Sequence, residues 1–202
     1  MDKPTLTVFV VDDDEAIRNS LSRALGIRGY SVETHGSAAE FLAAWQPGRQ
    51  GCLVLDYGMP DMNGLELQRH MNEAGMPVPV IFITGHGGVR ETVAAIKGGA
   101  IDFLEKPFRQ SDLVERIETA FALLRERLAA EAVARERQAR FERLTIREME
   151  IVDYILKNPA ETSSKEIAAR LGISPRTVDH HRARILEKLD ARSLAELIAL
   201  AR

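Results

Sequence analysis

VFVVDDDEAI, residues 8 to 17, places three aspartates directly behind an uninterrupted apolar run. A strand of Val and Phe with no polar alternation suits a sheet covered on both faces. Charge gathered at its end repels itself and calls for a counter-ion or a helix start. The rest of the first half repeats the pattern. TVFVV (7–11) is followed by Ile17, Leu21 and Leu25 at helical spacing, ending at Gly29, and YSVETH (30–35) precedes a helix opening at Ser37 with Glu40 three residues on. CLVLD (52–56) leads through a Gly/Met/Pro loop to LELQRHM, PVIFIT (79–84) to a Gly-rich turn and VRETVAAIK, and DFLEK (102–106) past Pro107 to a helix from Ser111. Five strand-then-helix units predict a doubly wound α/β domain, a five-stranded parallel sheet with helices on both faces, whose ligands bind at the carboxyl ends of the strands. In that topology the first and third strands are neighbours. Asp12, Asp13 and Asp56 then converge on one edge, joined by Thr84 from the fourth strand and Lys106 from the fifth.

The second half contains no strand pattern. The helix from Ser111 keeps Leu113, Ile117, Phe121, Leu124 and Leu128 on one stripe and runs on through an Ala, Arg and Glu-rich stretch to about Arg143. Its second half reads as a helical linker, either paired with a partner copy or solvated as a single helix. Four short helices follow, opened by Thr145 with Glu148, Ser163 with Glu166, Ser174 with Pro175, and Ser193 with Glu196. Ile151, Ile155, Ile167, Leu171, Val178, Ile185, Leu189, Leu194 and Leu197 supply one small core, as expected of an all-α helix-turn-helix domain. The expected division is 1–124, a linker over 125–143, and 144–202.

Charge divides the same way. Residues 1–124 hold 17 Asp/Glu against 11 Lys/Arg, a net −6, whereas residues 125–202 hold 13 against 16, a net +3. An acidic front and a mildly basic back suggest two modules with different partners. Neither a signal peptide nor a bilayer-length apolar run is present, so a cytoplasmic protein without membrane contact is expected, and the single Cys52 reads as buried packing.

VVDDDE, LVLDYGMPDMNG, FITGHGG and DFLEKPF resemble, in order and spacing, the flavodoxin-like receiver domain of two-component response regulators over about residues 5 to 125. The resemblance implies that Asp56 accepts a phosphoryl group from a histidine kinase, with Asp13, Asp56 and the backbone carbonyl of Gly58 holding Mg²⁺ and Asp12 supporting the site. It further implies that Lys106 and the Thr84 hydroxyl bind phosphoryl oxygens. Phe103 stands at the aromatic switch position, and phosphorylation is expected to drive homodimerisation through the helix over 89–97 and the strand over 101–106. Gly58 and His86 fall at positions that flank the phosphoryl group. Taken singly, Lys106 is also a solvated edge lysine, Thr84 an ordinary strand end, Phe103 a core ring, and Asp12 or Asp13 a helix cap; Asp14 is the aspartate expected to cap the first helix.

LTIREMEIVDYI, SKEIAARLGISPRTVDHHRARILEKL and SLAELIALA resemble the LuxR-type helix-turn-helix, and with the receiver they match the FixJ/NarL class. Gly172 allows the tight turn before a helix whose exposed face offers Arg176, Thr177, His180, Arg184 and Lys188 to the major groove of promoter DNA. Lys165, Ser174 and Asp179 complete the expected contacts, and His181 is expected to pack and hydrogen-bond in the core. Asp179 stands where such helices often carry Lys, and would accept from a cytosine amino group; the turn KNPAETSSK (157–165) is about three residues longer than usual. The domain over 144–202 carries a net charge of only +1, a weak non-specific binder as a monomer, which suits control by dimerisation.

The expectation is a transcription regulator, an activator working with RNA polymerase, and not an enzyme. A dinucleotide fingerprint in GHGGVR needs Gly where Arg90 stands, and a haloacid-dehalogenase-type phosphatase needs a second Asp where Gly58 stands. DNA binding independent of phosphorylation and a protein-binding helical output are the alternatives.

Overall fold

The computed structural model describes residues 6–85 and 89–201. The first half alternates strand and helix: β1 (Thr7–Val11), α1 (Glu15–Ile27), β2 (Ser31–His35), α2 (Ala38–Ala44), β3 (Gly51–Asp56), α3 (Gly64–Glu73), β4 (Val80–Thr84), α4 (Val89–Lys97) and β5 (Asp102–Glu105). The strands form one parallel sheet in the order β2-β1-β3-β4-β5, so β1 lies between β2 and β3 as expected. Period-two alternation splits the apolar strand residues between two cores. Phe9, Val11, Leu53, Leu55 and Phe82 pack with Phe41 of α2, Leu67 and Met71 of α3 and Ala95 of α4. Val8, Val10, Cys52, Val54, Ile81 and Ile83 pack on the other face with Leu21 and Leu25 of α1 and with α5. Both faces are covered, which is why β3 and β4 are buried along their whole length and read as continuous hydrophobic runs.

α5 (Gln110–Phe141) is one continuous helix of 32 residues. Leu113, Ile117, Ala120, Phe121 and Leu124 are its buried residues. The chain divides into two compact units inside α5, one ending at Arg127 and the other beginning at Leu128. Arg127 donates to the Pro77 carbonyl at 2.6 Å within the first unit. In the second, Arg140 reaches the Leu189 carbonyl at 3.3 Å and Phe141 packs against that unit's core.

The second unit continues with α6 (Ile146–Lys157), α7 (Ser164–Leu171), α8 (Pro175–Leu189) and α9 (Leu194–Ala201) around Ile151, Val152, Ile155, Ile167, Val178, Ile185, Leu189 and Leu197. Thr145 with Glu148 and Ser163 with Glu166 form the expected reciprocal capping boxes, and Ser174 caps α8 ahead of Pro175. Glu40 and Glu196 depart from that scheme: each accepts from the amide before the capping serine, Gly36 at 2.6 Å and Arg192 at 2.7 Å. Gly172 ends α7 at φ +66°, the left-handed value a β-carbon disfavours, and this turns the chain sharply into α8. Among the described residues no helix is long and apolar enough to cross a membrane.

Candidate functional site

β1 and β3 are adjacent and in register, so the residues that follow Val11 and Leu55 emerge side by side at the carboxyl edge. Asp12 and Asp56 are 1% and 6% exposed there. β5 ends beside β4, and the Lys106 amide donates to the Thr84 carbonyl at 2.7 Å, which carries the lysine to the same edge. Its ammonium bridges the two carboxylates, 2.8 Å from Asp12 Oδ2 and 2.7 Å from Asp56 Oδ1. The remaining oxygens are also engaged: Asp12 Oδ1 accepts from the Asp14 amide at 2.9 Å, and Asp56 Oδ2 from the Gly58 amide at 2.6 Å. Burial raises the Asp12 pKa even against the Lys106 and Asp14 hydrogen bonds. For Lys106, burial pulls the other way, and the two carboxylates still hold its pKa above the ordinary value.

The three aspartates of the opening run separate by role. Asp12 belongs to the buried edge. Asp14 is the N-cap of α1, its Oδ1 accepting from the Ala16 and Ile17 amides at 2.8 and 3.3 Å. Asp13 is exposed, and among the described residues no three His, Cys, Asp or Glu side chains are gathered closely enough to hold a metal ion. The expected Asp12–Asp13–Asp56 cluster is therefore not assembled as three converging carboxylates. Lys106 sits between two of them, and the third relieves its repulsion by facing solvent. Thr84 is buried at the end of β4, and Phe103 is half-buried with its ring 6.3 Å from that of Phe82. His86 lies outside the described residues.

Two further positions shape this edge, and neither carries a signal in its local sequence spacing that points there. Arg18 donates to the Asp12 carbonyl at 2.7 Å, tying α1 to the strand end. Gly64 opens α3 where a β-carbon would lie 2.6 Å from the Asp56 carbonyl and 2.8 Å from the Phe82 ring. The Asn63–Glu66 capping box that opens the same helix is the local sequence signal that marks the helix start.

In the second unit α8 leaves Ser174, Arg176, Thr177, Asp179, His180 and Arg184 exposed, with Lys165 exposed on the first turn of α7. Ser174 Oγ accepts from the Thr177 amide at 3.1 Å and so fixes the start of the helix. Lys188 departs from the expected phosphate-facing set. Its ammonium lies 2.6 Å from Glu148 Oε2, because that carboxylate is buried by the α6 capping box and takes the nearest cation. Asp179 also has a protein partner, the Ser164 hydroxyl. His181 is half-buried as expected, but its Nδ1 has no hydrogen-bond partner among the described residues.

A doubly wound parallel sheet with an Asp–Lys–Asp edge, joined to a helix-turn-helix unit, is the architecture of a response regulator. Residues 8–118 match the response regulator receiver domain, and residues 142–201 match the luxR family of bacterial regulatory proteins. The chain belongs to the response regulators that join a receiver to a LuxR-type DNA-binding domain. It is 43% identical over 198 residues to the transcriptional regulatory protein FixJ of Rhizobium meliloti (strain 1021), covering 96% of this chain and 94% of that one. Nodulation protein W of Bradyrhizobium diazoefficiens is 38% identical over 194 residues, covering 96% and 84%. Among solved structures, response regulator StyR matches with a TM-score of 0.87 at 41% identity, over 98% of each chain. Full-length FixJ from B. japonicum matches with a TM-score of 0.60 at 40% identity, over 98% of this chain and 97% of that one.

Proposed function

We propose that this chain is a phosphorylation-controlled regulator, an activator of transcription, in which Asp56 accepts a phosphoryl group from a histidine kinase. The observation that carries the reading is the Lys106 ammonium held 2.7 Å from Asp56 Oδ1 and 2.8 Å from Asp12 Oδ2 at the carboxyl edge. An Asp56 oxygen attacks the phosphorus of a phosphohistidine; the new O–P bond replaces the N–P bond, and the imidazole leaves with its electron pair. Lys106 then transfers its hydrogen bond from the carboxylate to a phosphoryl oxygen, and the Thr84 hydroxyl binds a second one.

The donor set suits a hard divalent cation, since every candidate atom is oxygen and two of the carboxylates are buried beside a single ammonium. Asp13, Asp56 and the Gly58 carbonyl would hold Mg²⁺, with Asp12 in support. When bound, it neutralises charge that builds up on the transferred group. Asp13, the residue after Asp12, is exposed and so open to an ion arriving from solvent.

Drawing Thr84 toward the phosphoryl group leaves room for Phe103 to move inward, which alters the face formed by α4 and β5. Val93 and Ile96 on α4 are 45% and 46% exposed, an apolar surface suited to pairing with a second copy. The paired helix-turn-helix units would bind a two-fold promoter site through Lys165, Ser174, Arg176, Thr177, His180 and Arg184, next to RNA polymerase. The test is beryllofluoride with Mg²⁺ on full-length protein. Wild type is expected to shift to dimers and to bind promoter DNA more tightly, and Asp56→Asn to do neither. Equal DNA affinity with and without the mimic would instead establish binding independent of phosphorylation.

A further inference from the structure

The helix that faces DNA carries an acid where a cation would be more useful. Asp179 is exposed on α8. A carboxylate there repels phosphates unless it reads a base or is engaged by the protein. Its carboxylate accepts from the hydroxyl of Ser164, the first residue of α7. That same hydroxyl accepts from Arg182 Nη1 at 3.0 Å, and Arg182 Nη1 also donates to the Thr162 carbonyl at 3.2 Å. Asp179 and Arg182 are three residues apart and therefore neighbours on one face of α8. Between them they form an ordered chain in which the guanidinium donates to Ser164, and Ser164 donates to the carboxylate. A hydroxyl used in both directions is held in one orientation. Thr162 lies in the connection between α6 and α7 and Ser164 opens α7, so the clip fastens that connection and the first turn of α7 to the recognition helix. The first turn carries Lys165.

We propose that Asp179 is a positioning residue for DNA recognition and reads no base: with Arg182 it clamps Ser164 and Thr162, and so sets Lys165 against the phosphate backbone. Base reading falls to Arg176, Thr177, His180 and Arg184. The inference rests on the helix-turn-helix unit binding duplex DNA.

The experiment starts from a duplex selected out of a randomised double-stranded library by full-length wild type with beryllofluoride and Mg²⁺. Affinities are then measured for that duplex and all its single-base-pair variants, at several salt concentrations. Asp179→Ala is expected to weaken every duplex alike, roughly three- to tenfold, as losing one solvent-exposed hydrogen bond does. The sequence preferences stay unchanged, and the salt dependence becomes shallower by about one phosphate contact. Ser164→Ala gives the same loss, and the double variant no more than either single one. Asp179→Asn, which keeps an acceptor oxygen, restores most of the affinity and the salt slope. Equal helicity and melting of the variants separates positioning from unfolding. Loss of preference at one base pair in Asp179→Ala, or tighter binding to every duplex, overturns the proposal. So does Ser164→Ala binding like wild type. If wild type selects no duplex, the DNA-binding reading fails and takes this one with it.

Discussion

Lys106 answers two buried carboxylates and Lys188 one, and the consequences of removing them differ. Lys106→Met leaves Asp12 and Asp56 unpaired at the edge, with an expected stability loss of roughly 2–3 kcal/mol in urea denaturation at neutral pH. The same variant is expected to take up phosphoryl groups without the shift to dimers, which sedimentation with and without the mimic would read. In the second unit the Glu148 pKa is lowered from 4.5 to about 2. Burial alone would raise it, but the Lys188 ammonium and the Thr145 amide, at 2.6 and 2.7 Å, outweigh that cost. A carboxyl whose folded pKa lies below its unfolded one stabilises fully above the unfolded value and loses that contribution as pH falls toward the folded one. Stability of this unit should therefore decline between pH 4.5 and about 2, by at most about 1.4 kcal/mol per pH unit from this group. Glu148→Gln should flatten that slope and cost about 2–3 kcal/mol at neutral pH, where Lys188 loses its partner. A slope that survives the substitution would assign the acid sensitivity to other groups. These side-chain choices were not legible in the sequence. Lys188 sits at helical spacing on the exposed stripe, and nothing within α8 reveals a buried acid 40 residues earlier.

At the scale of elements, the start of α3 is set by its approach to the end of β3. Gly64→Ala places a β-carbon against the Asp56 carbonyl and the Phe82 ring, and α3 has to move. The expected result is a loss of about 1–3 kcal/mol together with slower phosphorylation of Asp56 by a small-molecule phosphodonor. Gly26, inside α1, is the contrast: a β-carbon there meets nothing within 4 Å, so Gly26→Ala should stabilise by about 0.5–1 kcal/mol and leave phosphorylation unchanged. Thermal melts with phosphoryl uptake on the two variants would check both. α3 is also tied to α4, with Gln68 donating to the Ala95 carbonyl at 3.1 Å and Asn72 to the Gly98 carbonyl at 2.8 Å. The elements themselves were readable because their signals are local. Period-two and period-3.6 patterns, serine and threonine caps and the glycine at 172 depend on residues within one turn of each other. The departures at Glu40 and Glu196 also lie within a turn, where two adjacent amides compete for one carboxylate.

For the whole molecule, two compact units whose cores share no residue imply two stability transitions. Millimolar Mg²⁺ is expected to raise only the receiver transition, since ligand binding stabilises the state that binds, and Asp13→Asn should abolish the rise. Glu148→Gln should lower only the other transition. Calorimetric scans of wild type and both variants would show it, and a Mg²⁺ effect that persists in Asp13→Asn would remove that residue from the metal site. The sequence alone determined the class of each half, the adjacency of the first and third strands, and that Asp12, Asp56 and Lys106 stand at strand ends. The parallel crossovers follow from continuous apolar runs separated by helices, and they deliver Asp12, Asp56 and Lys106 to one place whatever the side chains do next. Tertiary structure decided how the charges pair once there. Lys106 bridges two aspartates while Asp13 faces water, Lys188 turns inward to Glu148, and Asp179 holds Ser164. An ionised side chain takes the partner that burial and geometry leave within about 3 Å, and that distance is a property of the packed chain and not of spacing along it.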